Sequence, residues 1–214
     1  MKTGSRLAAI LIAVISTSAA AAPFRVTSSD MREGDSLAAS QQFNGFGCRG
    51  GNVSPQLVWE HAPTGTRSFA VTAYDPDAPS GSGWWHWTVV NIPSTVSSLA
   101  TGAGDKNNAK LPAGAVQGRN DFGYAGFGGA CPPPGDKPHH YHFTVWALNT
   151  PTLPIDAQAS GALVGFMLAQ PCYRQRPADG HVRTLNDRQR AQMRNIHFQH
   201  NALSAAEITS RRII

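Results

Sequence analysis

Three segments with β-strand periodicity, separated by long stretches rich in glycine and proline, constrain the fold of this chain most strongly. They are RSFAVTAYDPDAP, WWHWTVVNIP and HHYHFTVWALN. In the first, apolar side chains recur at every second position from Phe69 to Ala73 before an Asp-Pro turn. Helix signals are sparse before residue 155, and the strongest is PIDAQASGALVGFML, with Asp156 as a candidate N-cap. The pattern predicts a mainly β protein, an antiparallel β-sandwich with a few peripheral helices.

An arginine-rich segment at residues 169–200 interrupts this pattern of strand-like segments and turns. It carries six arginines, has little apolar periodicity, and is followed by a core-like pattern at NALSAAEIT. We interpret it as a solvated insertion with a short helix around Asp187 to Ile196, since surface loops tolerate such lengths. A basic interaction arm is the alternative. Residues 23–214 are then predicted to form a single domain that contains this insertion.

The N-terminus has the layout of a secretory signal peptide. Lys2 and Arg6 precede an apolar run from Leu7 to Ile15, and small residues follow up to Ala22. The apolar run is too short to span a bilayer, although an uncleaved anchor is the alternative. We expect residues 1–22 to be removed and the protein to be periplasmic or secreted. Loss of two positive charges takes the net charge from +5 to +3, which gives little support to nucleic-acid binding.

Export places the three cysteines in an oxidising compartment, where one disulfide and one free thiol are expected. Three pairings are open. Cys48 and Cys131 both lie in glycine-rich loops, GFGCRGG and FGGACPPPG, whereas Cys172 lies in a segment of different character. This shared setting favours the Cys48–Cys131 pair.

Two acids and a histidine stand near the turn that ends the first strand. Asp75 and Asp77 flank Pro76, so either is explained by an Asx turn alone. His86 lies in the second strand, and strict alternation puts Trp84 and Thr88 on its face and Trp87 on the other. A histidine among bulky aromatic residues needs a hydrogen-bond partner. We expect a nearby Asp to supply it and to raise the imidazole pKa.

The HHYH sequence that begins the third strand raises the question of zinc. Alternation separates His139 and Tyr141 from His140 and His142, so all four cannot serve one interior site. No metal-ligand spacing and no Gly-x-Ser-x-Gly motif is present. We therefore expect no metal, no cofactor and no enzymatic activity. Asp, His and Tyr beside glycine-rich backbone suit an anion-binding concavity.

These motifs resemble the phosphatidylethanolamine-binding protein family, in its bacterial, Raf kinase inhibitor-like YbhB/YbcL branch. The matching pieces are NVSPQLVW, AYDPDAPSGSGWWHWTVVNIP and GACPPPGDKPHHYHFTVWAL. The resemblance runs from about Phe24 to Leu168 and resumes over Asn201 to Thr209. It implies a β-sandwich with a small anion pocket at one end. The implied ligand-binding residues are Asp75, Asp77, Trp84, His86, Pro133, His139 and Tyr141.

The resemblance also implies a mechanism of binding. His86, His139 and Tyr141 are expected to donate hydrogen bonds to an anion, with further bonds from the amides of residues 128–130. Asp75 would orient an imidazole or accept an ammonium. Affinity should fall as pH rises through the pKa of the histidines.

The expected function is a non-catalytic periplasmic or secreted binding protein for phosphate or phosphoethanolamine-type head groups. A small anionic ligand or a phospholipid head group is the expected partner, and peripheral membrane contact and a homodimer are compatible with it. The alternative is a secreted interaction or inhibitor protein that acts on proteases or host responses, since relatives include kinase and protease inhibitors. A hydrolase with Asp75 and His86 as an acid/base pair is the third hypothesis.

Overall fold

The computed structural model describes residues 22–170 and 172–186. In chain order the strands are β1 (Arg25–Thr27), β2 (Ser36–Leu37), β3 (Asn44–Gly45), β4 (Cys48–Arg49), β5 (Leu57–Glu60), β6 (Ser68–Asp75), β7 (Trp84–Pro93), β8 (Ser98–Leu99), β9 (Val116–Gln117), β10 (His140–Leu148) and β11 (Arg174–Asn186). A 3-10 helix covers Ala39–Gln41, and one α-helix, α1, covers Gly161–Ala169. The three predicted strands are confirmed as β6, β7 and β10.

A six-stranded sheet in the order β2-β11-β10-β6-β7-β9 forms the centre of the fold. Its pairs are antiparallel except β2 with β11. A three-stranded sheet in the order β1-β5-β8 packs on one face, called here the inner face. Trp59 of β5 meets Phe69 of β6 there, with ring centroids 5.3 Å apart. The mainly β, antiparallel sandwich predicted from the sequence is thus confirmed.

The opposite, outer face of the six-stranded sheet is also covered. Side chains of α1 and of the preceding loop bury it in a second apolar cluster: Ala70, Val90, Leu148, Leu153, Ile155, Ala159, Val164 and Leu168. Ser160 caps α1, because its hydroxyl accepts from the Leu163 N–H. Asp156 was the expected cap, but its carboxylate accepts from the Gln158 N–H in an earlier turn. The helix starts at Gly161, where a Cβ would overlap the Trp85 indole.

A β-bulge at His86 departs from the strict alternation expected of β7. Ala73 pairs with Trp87 and Tyr74 pairs with Trp85, so His86 is an extra residue without a partner on β6. His86 therefore turns inward, on the same side as Trp87, and Thr88 faces outward opposite Thr72. The expected grouping of Thr88 with His86 is wrong because the strand period is broken at the bulge.

The arginine-rich segment also differs from the expectation. Within the expected insertion, Arg174–Asn186 forms a strand of the central sheet, paired with β10 from His140↔Leu185 to Leu148↔Arg174. The register shifts between Trp146 and Leu148, which leaves Pro177 outside the regular ladder. Pairing uses backbone groups, and β10 would otherwise expose an open edge. The expected helix around Asp187 to Ile196 and the pattern at 201–209 lie outside the described residues.

The predicted signal peptide also lies outside the described residues except for Ala22. Within residues 22–170 and 172–186, no helix has the length and apolar character needed to cross a bilayer.

Candidate functional site

A cavity of about 210 Å³ opens where β6 ends and β7 and β10 begin. These three strands are neighbours in the sheet, so their termini meet at one end of the sandwich. The cavity, called the pocket below, is lined by Phe46, Asp75, Ala78, Pro79, Ser80, Trp84, His86, Phe122, Cys131, Pro132, Pro133, His139 and Tyr141. Six of the seven residues expected from the sequence are therefore brought together.

Asp75 is the last residue of β6 and is almost fully buried. Its Oδ2 accepts from His139 Nδ1 at 2.7 Å, and its Oδ1 accepts from the Asp77 N–H at 2.8 Å. The other ring nitrogen of His139 lies 3.4 Å from Asp136 Oδ2. Asp75 thus orients an imidazole, as expected, and the imidazole is that of His139.

The partner of His86 is not an aspartate. His86 Nδ1 lies 2.7 Å from the Gly128 carbonyl oxygen, and since a carbonyl only accepts, Nδ1 carries the hydrogen. Burial lowers the pKa of the His86 imidazole, and the Gly128 carbonyl and the negative charge of Asp75 offset only part of this effect. The expected rise in the His86 pKa is therefore wrong, because removal from water outweighs the nearby carboxylate.

Three buried polar atoms of the pocket residues have no hydrogen-bond partner in the described part of the chain. They are Trp84 Nε1, His86 Nε2 and the Tyr141 hydroxyl. Burial, followed by the negative charges of Asp75 and Asp77, raises the pKa of Tyr141 far above its usual value, so the phenol keeps its proton. Unpaired buried polar groups are costly, so their concentration around one cavity indicates a place for a polar ligand.

Asp77 lies outside the pocket. Its Oδ2 accepts from the backbone N–H of His140 and from His140 Nδ1, both at 2.7 Å. Burial alone would raise the pKa of Asp77, but these hydrogen bonds and the charges of His140 and His139 lower it. Both side chains are exposed to solvent. Asp77 therefore secures the turn after β6 and does not line the cavity.

The backbone amides of residues 128–130 are not available to an anion. The Gly128 N–H donates to the His86 carbonyl, the Gly129 N–H to Asn52 Oδ1, and the Ala130 N–H to the Gln41 carbonyl. Gly128 has a different role, because a Cβ there would overlap the Phe122 ring that forms one wall. The loop shapes the pocket and holds His86, and its amide hydrogens point into the fold.

A disulfide links the pocket lining to the β3–β4 hairpin. Cys48 of β4 is bonded to Cys131 of the pocket lining, which confirms the predicted pair, and Cys172 is free and exposed. The β3–β4 hairpin held in this way carries Phe46, whose ring lies 5.8 Å from that of Phe122. Sequence reasoning missed both phenylalanines. Proximity to Cys48 was a signal for Phe46, whereas nothing in the sequence marks Phe122.

The predicted separation of His139 and Tyr141 from His140 agrees with the structure. His139 and Tyr141 are buried in the pocket, whereas His140 is exposed on the other side of β10. Within the described residues, no group of three or more His, Cys, Asp or Glu side chains is placed to hold a metal ion.

Comparison with known proteins places this architecture in one family. The family model described as phosphatidylethanolamine-binding protein matches residues 27–183, and so extends into β11. The chain is 65% identical to the UPF0098 protein YbcL of Escherichia coli strain K12 over 158 residues, or 74% of this chain and 86% of YbcL. It is 51% identical to the UPF0098 protein YbhB of the same strain over 142 residues, or 66% of this chain and 89% of YbhB.

Solved structures show the same relationship. The crystal structure of E. coli YbcL, described as a new member of the mammalian PEBP family, superposes with a TM-score of 0.74 and covers 77% of this chain and 98% of YbcL. The structure of CT736 from Chlamydia trachomatis, a putative phosphatidylethanolamine-binding protein homologue, is 26% identical, has a TM-score of 0.62 and covers 77% of this chain and 97% of CT736. The chain belongs to the phosphatidylethanolamine-binding protein family, in the branch that contains YbcL and YbhB.

Proposed function

We propose that this protein is an exported, non-catalytic binding protein whose pocket holds a small oxyanion, either phosphate or a phosphoethanolamine-type head group. The observation that carries this proposal is the set of three unpartnered polar atoms in the pocket. Trp84 Nε1 can only donate, and the protonated Tyr141 hydroxyl is free to donate. Two unpartnered donors on residues that line one small cavity suit the oxygens of an oxyanion.

Export is supported by the disulfide together with the signal-peptide pattern. Disulfides persist in oxidising compartments, and the Cys48–Cys131 bond includes a residue of the pocket lining. We therefore propose that the protein works in the periplasm or after secretion.

A non-catalytic role is supported by the state of the groups that line the pocket. The Ser80 hydroxyl donates to the Gly83 carbonyl, and Cys131 is held in the disulfide. The carboxylate of Asp75 is bonded to His139 and not to His86, so the expected acid/base pair of a hydrolase is not assembled. Phosphomonoester turnover by the wild-type protein that is absent in His86→Ala would contradict this proposal.

The test is calorimetric titration of the oxidised, mature protein with phosphoethanolamine and with inorganic phosphate. We expect saturable binding that weakens about tenfold or more in Trp84→Phe and in Tyr141→Phe, because each loses one hydrogen bond to a charged ligand. Trp59→Phe is the matched control. The Trp59 indole nitrogen is also buried and unpartnered, but Trp59 packs on Phe69, six residues along β6 from Asp75. Absence of binding to the folded wild type would overturn the proposal.

A protein that associates with a second copy of itself is the second candidate, and the surface of α1 favours it. The sequence of α1, GALVGFMLA, contains no charged residue, and it exposes Leu163 and Phe166. Exposed apolar side chains grouped on one element are typical of contact surfaces. The check is sedimentation of the wild type beside Leu163→Lys/Phe166→Lys. A wild type that is monomeric at all concentrations would leave self-association through α1 without support.

A further inference from the structure

The pocket offers hydrogen bonds and little positive charge. None of the lining residues, all within the described part of the chain, is lysine or arginine. Asp75 adds a carboxylate, and both nitrogens of His139 already face the carboxylates of Asp75 and Asp136. A doubly charged oxyanion would meet no unengaged cation there. The ligand that fits must therefore be recognised by its pattern of donors and acceptors.

His86 lines the pocket and carries an acceptor atom without a partner. Its Nδ1 hydrogen is used by the Gly128 carbonyl, so in the neutral ring the free Nε2 carries a lone pair. Nε2 is buried and unpartnered. The rings of Tyr141 and Phe122 lie edge-on to the imidazole, with centroids 5.2 Å and 5.5 Å away. Asp75 and Asp121 are the charged groups that act on His86, and burial outweighs both of them in holding its pKa low.

The other two unpartnered atoms are suited to donate. Trp84 Nε1 has no acceptor capacity, and the Tyr141 hydroxyl can donate to a ligand oxygen. Two donors and one acceptor match a ligand with two acceptor oxygens and one hydrogen that it can donate, such as that of an O–H group. A phosphate monoester that has lost one of its two protons has this arrangement. A phosphate diester, including the head group of an intact phospholipid, has no P–OH.

We propose that the pocket binds phosphate monoesters in their singly protonated form, with the P–OH donating to His86 Nε2, and that it discriminates against phosphate diesters. This inference rests on the proposed function and specifies its ligand. The second ionisation of a phosphate monoester has a pKa of about 6. As pH rises through that value the P–OH is lost, and affinity falls.

The pH dependence separates two sources of the proton. If the ligand supplies the proton, the pH at which half of the affinity is lost follows the second pKa of the ligand. That pH is then higher for 2-aminoethylphosphonate than for phosphoethanolamine, because the phosphonate is the weaker acid in its second ionisation. If protonated His86 supplies it, the midpoint is the same for both ligands. Inorganic phosphate keeps a P–OH after its second ionisation, so its affinity falls less over the same range.

The experiment is calorimetric titration of the oxidised protein between pH 5 and 8 with four probes. These are phosphoethanolamine, glycerophosphoethanolamine, 2-aminoethylphosphonate and inorganic phosphate. We expect phosphoethanolamine to bind at least about tenfold more tightly than glycerophosphoethanolamine, since the diester has no P–OH to pair with the buried Nε2 of His86. His86→Asn keeps an amide donor toward Gly128 but has no atom at the Nε2 position, so the ratio between monoester and diester should fall toward one.

Imidazole ¹⁵N NMR of the wild type gives a readout that does not depend on the folding of a variant. We expect His86 to be the neutral Nδ1–H tautomer in the complex with phosphoethanolamine. A diester that binds as tightly as the monoester would overturn the inference and indicate an intact lipid head group. An imidazolium in the complex would also overturn it. If none of the four probes binds, the proposed function itself fails.

Discussion

Asp75 and His139 form a buried pair that joins the end of β6 to the start of β10, with 2.7 Å between Asp75 Oδ2 and His139 Nδ1. The second oxygen of Asp75 accepts from the Asp77 N–H, so one carboxylate holds both the turn and the histidine. Tyr141 follows His139 on the same face of β10. The pair therefore sets the geometry of one side of the pocket.

Replacement of Asp75 by alanine should lower the free energy of unfolding by about 2–4 kcal/mol, because a buried donor of His139 loses its acceptor. Urea unfolding measures this. The matched control is Asp77→Ala, which breaks the exposed contact with His140 and should cost no more than about 1 kcal/mol. Combining Asp75→Ala with His139→Ala should cost less than the sum of the single changes. Additive effects would show that the pair is not coupled.

Stability should decrease as pH falls from 7 to 5, through the titration of His86. Its pKa is lower in the folded protein than in the unfolded chain, because burial disfavours the charged ring. The unfolded state therefore binds more protons once pH drops below about 6.5, and folding loses free energy down to the folded pKa.

Denaturant midpoints at pH 5 and 7 measure the His86 effect. His86→Gln should be less dependent on pH than the wild type, whatever its absolute stability. An identical slope in the wild type and His86→Gln would contradict the prediction.

Reduction of the Cys48–Cys131 disulfide should destabilise the fold and loosen the pocket. The two cysteines are 83 residues apart, and closing a loop of that length contributes up to about 4.6 kcal/mol. Calorimetric unfolding with and without reductant tests the stability, and Cys48→Ala/Cys131→Ala reports on the same bond without reductant. Cys172→Ser should behave as wild type because that thiol is free and exposed. Phosphoethanolamine affinity unchanged after reduction would mean that the hairpin with Phe46 does not shape the site.

Gly161→Ala should destabilise the protein by about 1–3 kcal/mol, although alanine is the better helix former. The reason is steric, since the new methyl group would overlap the Trp85 indole. Ala162→Gly, at an exposed position of the same helix, isolates the intrinsic helix preference and should cost about 1 kcal/mol or less. Thermal unfolding compares the two. A more stable Gly161→Ala would mean that the helix moves away from β7 without cost.

The features that were predictable from the sequence are those set by local periodicity. Alternation along one strand placed His139 and Tyr141 on the face opposite to His140, and the structure agrees. The shared loop character of Cys48 and Cys131 favoured the correct disulfide. The direction in which a side chain points within a regular strand needs no knowledge of its neighbours.

The features that were missed depend on contacts distant in sequence. The partner of His86 is a carbonyl 42 residues later, and the bulge that turns the ring inward exists only relative to β6. Arg174–Asn186 has the composition of a surface loop, yet it pairs with β10 through its backbone, which composition does not report. Residue type could not distinguish Asp75 from Asp77 either, because both lie at the end of the same strand and only one turns inward.

The pocket exists only because the pairing of β7 with β6 is irregular at His86. In an uninterrupted ladder, His86 would lie opposite Tyr74 on the outer face and Trp85 would lie opposite Asp75. The Trp85 indole would then take the place of His86 in the wall of the pocket. The space beside Gly161 of α1, which the Trp85 ring occupies in the structure, would be left empty. Substitutions that restore regular pairing between β7 and β6 would therefore give a protein with a more regular sheet but without a binding site.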